Sequence, residues 1–266
     1  MELRGWDYTG RNIGPELHKQ YCTMIDCLSD SSFINHRNWS NAIQEDLATR
    51  LCVSSSGVVR TIKKIFEDFG LLNSNQISSK VEINPNFIIT KRGSFLYYTA
   101  TLEAGILSAD SISKAEQEKA MSYVKMLYEE IYCDALKGYY YDNGDGTFLS
   151  PLRATLKAVA KYGKLDKWEW YLMNTCIRHD DNTDEENKLD DLVSKYRKGL
   201  IQVNMNNVVE KPKGHQYIPQ YFEYAGLLHV IQRPDWSIGP SNRHKEVKDE
   251  VLSSNFLDRL HEGGAM

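Results

Sequence analysis

Asp235 follows Pro234, and Glu246 and Lys248 follow as a Glu-x-Lys pair. These are the groups with which a Mg²⁺-dependent nuclease holds its metal and activates a water. That chemistry needs the Glu-x-Lys on a buried strand that turns both side chains to one point, whereas the surrounding HKEVKDEVL reads as the polar start of a helix. A second set of residues is basic and hydroxylic. Ser54, Ser55, Ser56, Arg60, Thr61, Lys63 and Lys64 share one short stretch, and Lys91 and Arg92 follow. Lys211, Lys213, His215, Gln216 and Gln220 form a later group, with Arg233, Arg243 and Lys245 beyond it. Arginine can take O6 and N7 of a guanine together, glutamine can take N6 and N7 of an adenine, and serines at a helix start suit phosphates. Gln216 and Gln220 stand one helical turn apart. The same residues would equally serve as the solvated faces of ordinary helices. No nucleotide-binding glycine pattern, G-x-S-x-G elbow or H-E-x-x-H pair occurs. The loop at 142–146 is rich in oxygen ligands but lacks EF-hand spacing, so it reads as a tight turn.

The elements that would carry these groups come from an internal repeat. Ile62 to Leu72, IKKIFEDFGLL, and Ile218 to Leu228, IPQYFEYAGLL, agree at Ile, Phe, Glu, Gly, Leu and Leu. In the first copy Val58, Ile62, Ile65, Phe69 and in part Phe66 share one helical face, with Arg60, Lys63, Lys64 and Glu67 on the other. Ser54, Ser55 and Ser56 offer N-caps, and Gly70 and Gly226 stand where a helix ends in a left-handed residue. Helices are expected at Pro15 to Leu28 and Trp39 to Leu51 before the first copy, with a β-hairpin at Lys80 to Ile89 after it. Thr90 would then cap a closing helix. Before the second copy, helices are expected at Pro151 to Tyr162, Lys164 to Cys176 and Glu185 to Lys198. Pro219 falls in the first turn of the next helix, and Leu200 to Asn204 would pair with Leu228 to Gln232. Ser113 to Leu136 makes a long amphipathic helix between the copies.

The formal net charge of −4 counts against indiscriminate polyanion binding and confines any nucleic-acid site to a local basic patch. Acidic residues crowd into one stretch, Asp180 to Asp191, which reads as a solvated loop and helix face. The five cysteines include no C-x-x-C pair and read as free thiols in a reducing compartment. No run approaches the roughly 18 apolar residues that span a bilayer. A chain of 266 residues, 41% of them hydrophobic, can fill two ordinary cores.

IITKRGSFL at Ile88 to Leu96, LSPLRATLKAVAKYGKLDKWEWYLMN at Leu149 to Asn174 and YFEYAGLL at Tyr221 to Leu228 resemble the N-terminal DNA-recognition region of type IIS restriction and nicking endonucleases. These stretches resemble in particular the AlwI-like group and the similar BpuJI recognition domain. The resemblance covers most of the chain, mainly in core and turn residues. It implies that this half reads an asymmetric site while a separate PD-(D/E)-x-K nuclease cuts with Mg²⁺. Because the chain stops soon after the second unit, that nuclease is expected as another domain or subunit.

The expected fold is therefore mainly α with small β-hairpins (α+β), built as two winged-helix units at 1–110 and 149–266 joined by a helical linker at 111–148. The expected function is sequence-specific recognition of double-stranded DNA by a cytoplasmic protein, with no membrane partner, no catalytic centre and no cofactor of its own. Two alternatives stay open. One is a winged-helix module that docks protein, and the other is a Mg²⁺ nuclease using Asp235, Glu246 and Lys248.

Overall fold

The computed structural model describes residues 1–6, 10–143, 146–209, 214–232, 235–253 and 256–258. The protein is mainly helical with a small antiparallel sheet, of the α+β class, and none of its described helices is long and apolar enough to cross a membrane. It divides into two compact units: Gly10–Ala135, and Met1–Thr9 together with Leu136–Met266.

The N-terminal unit contains α1 (Pro15–Ser29), α2 (Ser31–Ile34), α3 (Asn41–Arg50), α4 (Ser56–Asp68), α5 (Lys91–Leu107) and α6 (Lys114–Lys137), the last passing out of the unit at Leu136. Ser40 caps α3 by accepting from the Ile43 amide, and Thr90 caps α5 by accepting from Gly93, as its position implied. Gly70 ends the α4 segment at φ +62°, a conformation that costs glycine nothing. The buried stripe of α4 is Val59, Ile62, Ile65 and Phe66, with Phe69 beyond it; Val58, expected inside, is only half-buried. Tyr21 of α1 lies across the end of this stripe. Its ring meets Phe66 at 4.5 Å, and its hydroxyl reaches the carbonyls of Gly93 at 3.0 Å and Leu71 at 3.3 Å.

A buried polar layer crosses the same core. His18 accepts from or donates to the Tyr132 hydroxyl at 3.0 Å and stacks on Tyr128, whose own hydroxyl donates to Glu103 at 2.6 Å. Burial holds the His18 imidazole well down, at about 4.

The hairpin expected at Lys80 to Ile89 does not form. The segment makes two isolated antiparallel bridges, Asn38 with Glu82 and Leu72 with Ile89. Pro85 supplies no amide to a ladder, and Asn84 closes a local turn by accepting from the Asn86 amide at 3.1 Å and, through its carbonyl, from Phe87 at 3.1 Å.

The C-terminal unit opens on a hairpin of β1 (Tyr141–Asp142) and β2 (Phe148–Leu149), the turn expected there. It continues through α7 (Pro151–Tyr162), β3 (Leu165–Asp166), α8 (Lys167–Cys176), α9 (Thr183–Arg197), α10 (Gly214–Tyr224), β4 (Leu228–Ile231), β5 (Ser237–Pro240) and α11 (His244–Val251). The sheet runs β3-β5-β4, all antiparallel, with Ile238 of β5 opposite both Leu165 and Val230. Leu228 and Val230 point into the core while His229 and Ile231 face out, the period-two pattern of a half-buried strand. The pairing expected between Leu200 to Asn204 and β4 is absent: β4 pairs with β5 instead, and residues 200–204 form no strand. Pro219 lies inside α10 rather than in its first turn.

The first residues of the chain belong to this unit. Leu3 bridges Val208 in parallel, and Trp6 is buried against Trp170, with its indole N–H donating to the Ile177 carbonyl at 2.8 Å. Arg153 of α7 is also buried. Its Nη2 donates to both Asp181 oxygens at 3.1 Å, while Nη1 reaches the carbonyls of Val251 and Ser253 beyond α11.

Candidate nucleic-acid interface

The first turn of α4 gathers the hydroxyl and basic groups into one place. Ser55 sits at the cap position in extended conformation, and its side chain makes no capping bond, so the hydroxyl faces outward. Ser54 is exposed beside it and Ser56 half-buried. Arg60 leaves the helix one turn on and folds its guanidinium back over Gly57. A Cβ on that glycine would stand 3.6 Å from Arg60 Nη2 and 3.5 Å from Ser55 Oγ. Arg60 Nη1 donates to Gln44 Oε1 of α3 at 2.9 Å.

The other candidates in this unit are already engaged. Thr61 returns its hydroxyl to the Gly57 carbonyl at 3.2 Å. Lys63 pairs with Glu67, and its side chain is only 12% exposed under the ring of Trp39, 5.3 Å from the centroid. Lys64 pairs with Asp68 while remaining exposed. Burial raises the carboxyls of Glu67 and Asp68, and the two lysines oppose that rise. Arg92 donates to Asp134 at 2.7 Å and to the Phe69 carbonyl at 3.0 Å, so it fastens the end of the α4 segment instead of reaching outward. Lys91 is exposed at the start of α5.

In the C-terminal unit Gln220 is half-buried on α10, and Tyr217 stacks on Tyr221 along the same helix. Lys211, Lys213 and Arg233 lie outside the described residues, as do the side chains of His215, Gln216 and Lys245. Arg243 is half-buried at the cap position of α11.

The acidic candidates are dispersed. Asp235 is exposed between β4 and β5, whereas Glu246 and Lys248 are carried by α11. Two residues apart on a helix, they point to different sides, so the strand presentation that a nuclease needs is not formed. Among the described residues no group of three or more His, Cys, Asp or Glu is placed to hold a metal ion.

Two buried side chains outside the sequence-derived set support this surface: Gln44 under Arg60 and Trp39 against Lys63. Gln44 stands among Ile43, Leu47 and Ala48 on the buried face of α3. A glutamine at a core-facing position was the available signal, because a buried amide must find a partner. No family model and no curated protein matches the chain.

Proposed function

We propose that this chain recognises double-stranded DNA through two winged-helix units and serves as the specificity module of a type IIS-like restriction endonuclease, the Mg²⁺-dependent nuclease being a separate domain or subunit. One observation carries the reading: in both units a run of helices leads to one that ends on a left-handed glycine, after which the chain enters a bridge or strand pair. In the N-terminal unit the order runs α1, α2, the Asn38 bridge residue, α3, α4, left-handed Gly70, the Leu72 bridge residue and the returning Ile89. In the C-terminal unit it runs α7, β3, α8, α9, α10, left-handed Gly226, β4 and β5. The order β3-β5-β4 sets the first short strand beside the last, as in a winged helix, where a strand pair follows the recognition helix. On this reading α4 and α10 enter major grooves, Arg60 and Gln220 face base edges, and Ser54, Ser55 and Lys91 meet the backbone. The two units differ in sequence, which suits an asymmetric site bound by one copy.

A second reading, a module that docks protein, is favoured by Phe95, Tyr98 and Leu102, exposed along one stripe of α5, and by the carboxylate pairing of Lys63, Lys64 and Arg92. Selection from a randomised duplex library without metal, followed by affinity for the enriched duplex across a salt series, separates the two. Recognition predicts one asymmetric consensus, with log affinity falling by about 0.9 per neutralised phosphate for each tenfold rise in salt. No enrichment and flat, weak binding would sink it.

A further inference from the structure

We propose that Gln44 and Arg60 act as one specificity unit, in which Arg60 takes the O6 and N7 of a guanine in the major groove and Gln44, without touching DNA, holds the guanidinium in plane. The proposal rests on the DNA-recognition reading and assigns one base to it. It starts from a contrast within the N-terminal unit. Lys63, Lys64 and Arg92 are each paired with a carboxylate of the same unit, so their charge is largely cancelled. Arg60 is exposed, and its partner is a neutral amide that leaves the positive charge intact.

Gln44 is 5% exposed, so packing fixes its oxygen before anything binds. The bond to Arg60 Nη1 uses one of the guanidinium's five donors. Nη2 and Nε, which form a fork on the far edge, make no hydrogen bond with any described residue. Two parallel donors in a fixed plane match guanine O6 and N7, whereas a phosphate is served as well by a mobile point charge. The folded arginine packs over Gly57, where an added Cβ would meet Nη2 at 3.6 Å and Ser55 Oγ at 3.5 Å, ordinary contact distances. Arg60 lies near the start of α4, the part of a recognition helix that meets base edges.

Gln44 is thus a positioning residue. A free arginine loses side-chain entropy when it is immobilised on a base. One already tethered loses less, and the difference appears as discrimination rather than as general affinity.

The test compares the wild-type chain with Arg60→Lys, Gln44→Leu and Gln44→Met by library selection, together with affinity for an unrelated duplex and thermal unfolding. Arg60→Lys keeps the charge on an exposed helix face and removes the fork, so it should fold normally. It should lose preference for guanine at one position by about tenfold or more, with binding to the unrelated duplex within about twofold. Both Gln44 variants should weaken discrimination at that same position and leave non-specific binding unchanged. If the wild type selects a consensus and Arg60→Lys retains the same guanine while losing affinity for every duplex alike, Arg60 is a phosphate contact and the proposal is overturned. Loss of discrimination at a different position in the Gln44 variants would overturn the pairing. A wild type that selects no consensus would instead overturn the DNA-recognition reading on which both rest.

Discussion

Arg92 and Gly93 open α5 side by side and meet the same neighbour, the chain leaving α4. Arg92 sets its positive charge on the Phe69 carbonyl, where the negative end of a helix favours a cation. Gly93 is there for lack of room. A Cβ at this position would stand 2.0 Å from the Leu71 carbonyl oxygen and 2.6 Å from the Tyr21 hydroxyl, closer than atoms can approach. Gly93→Ala must therefore push α5 off backbone that cannot yield, and the expected loss is about 3 kcal/mol or more, measured by denaturant unfolding. A loss within about 0.5 kcal/mol would show that the start of α5 moves freely. The sequence displayed Lys-Arg-Gly as the opening of a helix behind Thr90, with two cations offered to a phosphate backbone. It could not display the carbonyl that each of the last two meets, because Phe69 and Leu71 lie more than twenty residues away in the chain. The lysine partners were nearer to view. Lys63 with Glu67 and Lys64 with Asp68 are pairs four apart on one helix, so the i,i+4 rule already pointed to cancelled charge on this face.

Helices were legible where a cap and a buried stripe agreed, whereas alternation located β4 but also suggested a hairpin at Lys80 to Ile89 that does not form, and β5 was not foreseen. Thr90 and the left-handed Gly70 and Gly226 stand where their chemistry implied, and Ser150 adds a cap beyond those expected from the sequence. β3 could not be read, since two residues carry no period, and a helix was expected to start at Lys164 instead. The structure starts α8 three residues later through a capping box. Asp166 accepts from the amides of Trp168 and Glu169 at 2.8 and 2.9 Å, and Glu169 accepts from the Asp166 amide at 2.9 Å. The box is tied in turn to the end of α9, because Tyr196 donates to Asp166 and Arg197 pairs with the buried Glu169. Asp166→Ala should cost about 1–2 kcal/mol by chemical unfolding, and Asp166→Asn, which can still cap, clearly less. Equal losses from the two variants would mean that the Tyr196 contact outweighs the cap.

At the scale of the whole chain, the sequence predicted two units around the repeat but not that the first residues leave the N-terminal unit. Leu3 and Trp6 serve the core of the C-terminal unit, and only contacts with Val208, Ile177 and Trp170, far along the chain, reveal it. The two units also carry titratable groups of opposite character, His18 buried and Asp180 half-buried. In the N-terminal unit burial lowers His18 from 6.5 to about 4, with Glu103 3.6 Å from its ring nitrogen and Tyr128 and Tyr132 about it. Between those values the unfolded histidine binds a proton and the folded one does not, so stability is complete above pH 6.5 and falls as the pH drops towards 4. The amount is on the order of 3 kcal/mol. In the C-terminal unit burial raises Asp180 from 3.8 to about 6, even though its carboxylate accepts from the Ser150 amide. There the folded state holds the proton more tightly, so stability is complete below pH 3.8 and is lost as the pH rises through 6. Acidification from pH 6.5 to 4 should therefore loosen Gly10–Ala135 while this carboxyl steadies the other unit. Amide exchange resolved by residue and corrected for intrinsic rates measures each unit separately. His18→Gln should flatten the slope in the first unit alone, and Asp180→Asn that in the second alone. If both units loosened in parallel and neither variant changed its own slope, the pH dependence would belong to surface carboxylates shared by the whole chain, and His18 and Asp180 would carry none of it.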